Sequence, residues 1–143
     1  MPASKVFTLG KEERLCSKLL IDKLFGGNAS SSMSAWPLRV VFLLIDKKDE
    51  KDVTVELLVS VSKRYFKRAV KRNRVKRQIR EAYRKNKPLL AGTMAQMPEK
   101  KLLMAVIWID GNLHPSTQIE SKMQNLLQRV GEKLHGISTL DRT

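Results

Sequence analysis

The chain has 143 residues, 42% of them hydrophobic, enough to bury one ordinary core and short for two, so a single domain with its core over about residues 7–136 is expected. Its 28 Lys and Arg against 14 Asp and Glu give a net charge of +14, which excludes a polycationic partner and points to a polyanion. Cys16 is the lone cysteine, and His114 and His135 are the two histidines, which excludes an internal disulfide and a Cys/His zinc set.

The first residues, MPASKVFTLGKEER, lack the apolar stretch of a signal peptide, and no run reaches the roughly 18 apolar residues that span a bilayer. A soluble, cytoplasmic protein is expected. Residues 11–25 read as a helix stopped by Gly26 and Gly27. Cys16, Leu20 and Leu24 form its core patch, while Arg14, Lys18, Ile21 and Phe25 recur at i, i+4, i+7 and i+11 along another face.

Residues 28–34 are small and polar and read as a loop. Residues 36–45 and 53–62 are rich in β-branched and aromatic types, and the charged stretch 46–52 between them reads as a hairpin turn with a solvated tip. The second strand alternates, with Val53, Val55, Leu57, Val59 and Val61 on its core face and Glu56, Leu58 and Ser60 on a half-wet one. A second helix is predicted over 68–86, ended by Pro88; residues 89–100 read as a loop and 102–109 as a buried strand. Thr117 and Glu120 fit a capping box for a third helix with the core stripe Ile119, Met123, Leu126, Leu127, Val130 and Leu134; Gly136 marks its end and residues 137–143 a tail. The predicted order is α-β-β-α-β-α.

Charge is concentrated on the second helix. From Lys63 to Lys87 stand 13 basic residues and one acid, Glu81, which is +12 of the net +14. Val75, Ile79, Ala82 and Tyr83 make an apolar stripe, and Asn73, Lys76, Arg77, Arg80 and Arg84 a neighbouring polar one that is nearly all cationic. A solvated face is the ordinary fate of a charge run, but solvated faces mix signs to avoid i, i+4 repulsion. This stripe relies on Arg, whose planar fork suits phosphate, and Asn73 adds paired donor and acceptor capacity, so RNA or DNA contact is the better reading.

The string RAVKRNRVKRQIREAYR, residues 68–84, resembles the signature of the bacterial ribonuclease P protein subunit, centred on Arg72-Asn73-Arg74 with Lys76-Arg77 and Arg80. Ser60-Val61-Ser62-Lys63 before the helix, Arg14-Leu15 with Phe25, the strand at 102–109 and the last helix extend the likeness over about residues 7–134. The stretch 63–68 lacks the glycine common in that family, and Ile21 stands where many members carry an aromatic.

The resemblance implies an α+β fold, an α/β sandwich with a central, mostly antiparallel sheet and a left-handed βαβ crossover through the basic helix. It implies the small subunit of a ribonucleoprotein endonuclease that removes the 5′ leader of precursor tRNA, with RNA as the catalyst and magnesium held mainly by RNA. No protein catalytic residues, no membrane and no obligate protein partner are expected. Lys63, Arg64, Lys67, Arg68, Arg72, Arg74, Lys76, Arg77, Arg80 and Arg84 are then the phosphate contacts and Asn73 a specific polar one, to catalytic RNA or substrate.

Single-stranded leader needs stacking side chains beside cations; the row Arg14, Lys18, Ile21 and Phe25 supplies one wall, and Trp36 or Phe42 could complete it. A ribosomal RNA-binding protein is the chief alternative. A DNA-binding zipper is disfavoured by Pro88, and a stand-alone nuclease by the lack of convergent carboxylates or histidines, since Asp46, Asp49, Glu50 and Asp52 show no ligand spacing.

Overall fold

A computed structural model describes residues 14, 15, 17–26 and 29–141. Its elements are α1 (Lys18–Gly26), β1 (Ser31–Ala35), β2 (Leu38–Asp46), β3 (Val55–Val61), α2 (Ala69–Asn86), α3 (Pro88–Ala95), β4 (Lys100–Trp108) and α4 (Ser116–Asp141). The strands form one sheet in the order β1-β2-β4-β3, with β3 parallel to β4 and the other two pairings antiparallel. β4 takes the interior position because it is apolar on both faces: Leu102, Met104, Val106 and Trp108 point to one core, Leu103 and Ala105 to the other. Helices α2, α3 and α4 cover the first face, where Val75, Ile79, Leu90, Met94, Met123 and Leu127 are buried. On the opposite face α1 seats Leu24 against Val41, Leu43, Leu103 and Ala105.

Several expectations change. Residues 46–52 are not a hairpin turn, because β4 inserts between β2 and β3 and the loop must pass the end of that strand. The hairpin lies earlier: Ser31–Ala35 is a strand, paired with β2 from Ser31↔Phe42 to Ala35↔Leu38 across a turn at Trp36 and Pro37. Main-chain pairing and the half-burial of Met33 and Ala35 carry this edge strand, not side-chain propensity. Within 89–100 the chain forms α3 with Pro88 in its first turn, a position where the fixed φ and missing N–H cost nothing, and Leu90 and Met94 are buried one turn apart.

Helix α1 starts later than its periodicity suggests, because Ser17 ends the extended chain: its carbonyl accepts the Ile21 N–H at 2.9 Å. Upstream, Arg14 forms a parallel bridge with Leu57, and the Leu15 N–H donates to the Leu57 carbonyl at 2.8 Å, so these two residues cover the free edge of β3. Cys16 and residues 11–13 lie outside the described residues. Helix α4 begins at Ser116 without the capping box: the Pro115 carbonyl accepts the Gln118 and Ile119 N–H groups, and Glu120 is drawn to Lys85 on α2 at 2.8 Å. It runs on through Gly136 to Asp141. Its six predicted core residues are all buried.

Candidate nucleic-acid interface

Four buried residues fix how α2 sits, since Val75, Ile79, Ala82 and Tyr83 all point into the core. Three contacts hold its flank: the Gln78 side-chain amide donates to the His114 carbonyl at 3.1 Å and to the Ser116 hydroxyl at 3.0 Å, and Lys85 reaches Glu120. The face turned from the core is therefore set, and it carries exposed Asn73 and Arg77 with half-buried Lys76, Arg80 and Arg84. Exposed Arg74 lies beside this stripe. No acid stands in the first turn, and the N-cap, Arg68, is extended with no side-chain cap bond, so the positive end of the helix dipole adds to the cationic field.

Arg72 behaves differently from its neighbours. Its Nη1 donates to the carbonyls of Phe66 and Lys67 at 2.9 and 2.8 Å, folding the segment before the helix onto the first turn. Phe66 plugs into the core, and Lys63, Arg64, Lys67 and Arg68 are left exposed around the helix start. Arg64 also lies over the Tyr65 ring, 5.9 Å from its centroid. The structure thus joins the loop cations and the helix stripe into one surface, with Arg72 as the residue that holds the loop in place.

Glu81 neutralises part of that surface. It takes two hydrogen bonds from Arg84, Nε to Oε2 at 2.9 Å and Nη2 to Oε1. These bonds push the Glu81 carboxyl below its ordinary range and raise Arg84 above its own.

The acids of the 46–52 loop are not a plain solvated tip. Asp52 accepts the Lys48 N–H at 3.0 Å, the main reason its carboxyl titrates low, and it binds Lys101, which is only 5% exposed, at 3.0 and 3.1 Å. Glu56 lies 3.3 Å from the same ammonium. Asp46 stays exposed, and its pairing with Lys100 lowers its carboxyl. Among the described residues no three His, Cys, Asp or Glu side chains come together as a metal ion would need.

The residues expected to wall a second groove are not all brought together. Lys18 and Phe25 are exposed on α1, and Ile21 packs half-buried beside the α1-side core. Arg14 is off the helix, on the β3 edge. Phe42 does not line that side: it alternates onto the α4 face, is 2% exposed, and has the Lys133 ammonium 5.8 Å from its ring. Trp36 sits at the β1–β2 turn, edge-on to His114, and not against α1.

What does stand beside α1 is a row across all four strands, Ser34, Arg39, Ile107 and Ser60, placed side by side by the register. It shares the face of Val41 and Leu58, and Arg39 Nε donates to the Ser32 hydroxyl at 3.0 Å. Arg39 was the available signal, as the charged residue in an apolar strand, but its neighbours follow only from the register.

A mixed sheet with a charged helix strapped across one face and a row of Ser34, Arg39 and Ser60 on the other defines a nucleic-acid-binding protein of α+β type. The model of the ribonuclease P family matches residues 9–131. Ribonuclease P protein components from two strains of Porphyromonas gingivalis are each 38% identical over 130 residues, 91% of this chain and 91% of theirs. The ribonuclease P protein of Thermotoga maritima has the same fold, with a TM-score of 0.59 at 22% identity over 82% of this chain and 96% of that one.

The chain belongs to the ribonuclease P protein family. It is a bacterial-type protein subunit, an RNA-binding component of a tRNA-processing ribonucleoprotein nuclease. No helix among its described residues is long and apolar enough to cross a membrane.

Proposed function

We propose that α2 and the loop before it bind the catalytic RNA of ribonuclease P, and that the α1-side sheet face takes the single-stranded 5′ leader of precursor tRNA. The observation that carries this reading is the continuous cationic face of Asn73, Arg74, Lys76, Arg77 and Arg80 with exposed Lys63, Arg64, Lys67 and Arg68 at its start. Such a face neutralises phosphates and releases their counterions, so RNA strands can approach each other at lower magnesium. RNA carries the chemistry and holds the magnesium ions; the protein supplies charge and position in the cytoplasm. Phe25, Lys18, Arg39 and Ser60 offer the leader an apolar surface, two cations and a hydroxyl, which is how unpaired strands are held without sequence reading.

The test is precursor-tRNA cleavage at low magnesium by a bacterial catalytic RNA alone, with this protein, and with the Asn73→Ala/Arg77→Ala variant. Strong stimulation by the wild type and little by the variant is expected. For the leader, the gain in affinity from a leader of several nucleotides should shrink in a Phe25→Ala/Arg39→Ala variant that still binds the catalytic RNA. Failure of the wild type to stimulate cleavage would overturn the proposed contact between the α2 face and the catalytic RNA.

A further inference from the structure

Trp36 is 52% exposed, yet it is held from below. Its ring meets the His114 ring at 5.0 Å and 81°, and His114 in turn meets Trp108 at 5.3 Å and 71°, a column that runs from the fully buried Trp108 to the surface. His114 is fixed in that column by Asp110 at 2.6 Å and Gln118 at 3.3 Å, and its carbonyl by Gln78 of α2. An exposed indole that served only as packing would not need so rigid a seat, because a solvated side chain loses rotamer freedom there for little buried area.

The surroundings indicate what it meets. Exposed Arg129 donates from Nη1 to the Ser34 carbonyl at 2.9 Å, which brings a cation of α4 to the β1–β2 turn that carries Trp36. The acid that touches the column, Asp110, is itself occupied by His114 and is mostly buried. A rigid, exposed aromatic beside a cation is an arrangement on which an unpaired base stacks while its phosphate is neutralised. Through Gln78 the column is strapped to α2, and Trp108 at its base belongs to the core under α2 and α4, so the column lies on the α4 side of the sheet and not on the α1 side.

We infer that Trp36 is a stacking platform for one unpaired nucleobase of the RNA, a contact separate from both the α2 stripe and the leader face. The inference rests on the ribonucleoprotein reading and extends it, and its test separates the two. The protein has two tryptophans and Trp108 is fully buried, so Trp36 dominates any change in emission or in quenching by iodide.

A short single-stranded oligoribonucleotide should alter Trp36 emission and shield it from iodide. Heparin, charged but without bases, and a fully paired RNA hairpin closed by a non-nucleotide linker should bind without that change. Trp36→Ala should weaken the labelled single strand about tenfold by anisotropy. Trp36→Phe, which keeps a ring against His114, should restore most of the binding. Shielding by catalytic RNA alone would place the base in that subunit, and shielding that needs precursor tRNA would place it in the substrate. Single strand bound with unaltered Trp36 emission and unchanged affinity in Trp36→Ala overturns the inference and leaves the α2 reading standing. No RNA binding by the wild type overturns both.

Discussion

Two substitutions one turn apart on α2 should move RNA binding in opposite directions. Arg77 is exposed, and no hydrogen bond or ion pair to the protein engages it among the described residues, so its whole charge is available to phosphate. Each phosphate neutralised contributes about 0.7–0.9 to the slope of log affinity against log salt. Losing one contact at 0.1 M salt therefore costs about 1 kcal/mol, or about sixfold. Arg77→Ala should weaken binding by that amount and flatten the slope by slightly less than one.

Glu81→Gln should do the reverse, since it removes a negative charge from the same face and weakens the two bonds that Arg84 makes to it. An exposed pair of this kind adds little to stability, so neither variant should lose its fold. Filter binding of the catalytic RNA across a salt series reads both affinity and slope. Lys133→Ala, a cation on α4, is the matched control and should leave the slope unchanged. Parallel slopes for the wild type and both α2 variants would refute the idea that RNA lies along this stripe.

Lys101→Met should unmask a buried defect: it leaves Asp52 without its ammonium and Glu56, whose Oε2 already has no partner, facing a thioether. Breaking a buried pair in this way costs about 3–5 kcal/mol, and for a chain of this size Tm should fall by about 10 °C or more. The carboxyl of Asp52 is held below its usual value, first by the Lys48 N–H, so its contribution is complete above the unfolded pKa of 3.8 and is lost as pH falls through the lower folded value. Acid unfolding should accordingly be less steep in Asp52→Asn, and equal steepness would remove Asp52 from the account. The +12 of residues 63–87 repels itself in the free protein, so sulfate or pyrophosphate should raise Tm above chloride at equal ionic strength; identical midpoints would contradict this.

The helices α2 and α4 and the strand β4 were legible because one face, or both faces of a strand, must be apolar to be buried, and that leaves a period in the sequence. Strand order left no such trace. A charged stretch between two apolar runs reads as a hairpin whether or not a third strand later inserts, and Ser31–Ala35 becomes a strand only through its partner. Phe42 was unassignable to a face for the same reason, since alternation gives two sides without saying which one α1 covers. Arg72 carried a readable signal that its charge concealed. It stands three residues before Val75 and seven before Ile79, in line with the buried stripe, which is where a side chain turns inward to bond its own loop.

The layers explain how so small a protein can serve two strands of RNA. On the proposed reading the catalytic RNA lies outside α2 and the leader lies on the far face of the sheet, so the helix layer and the sheet separate the two polyanions. Low-dielectric core such as Met104 and Ile79 fills that separation. Cations on α2 are then spent on one RNA and Arg39 and Lys18 on the other, with no competition for the same charge. If the faces act independently, losses from Arg77→Ala and Arg39→Ala should add in a double variant when affinity for precursor tRNA is measured in the holoenzyme, as they do for sites without shared partners. A strongly non-additive double variant would mean that both strands meet one surface, and the two-sided arrangement would fail.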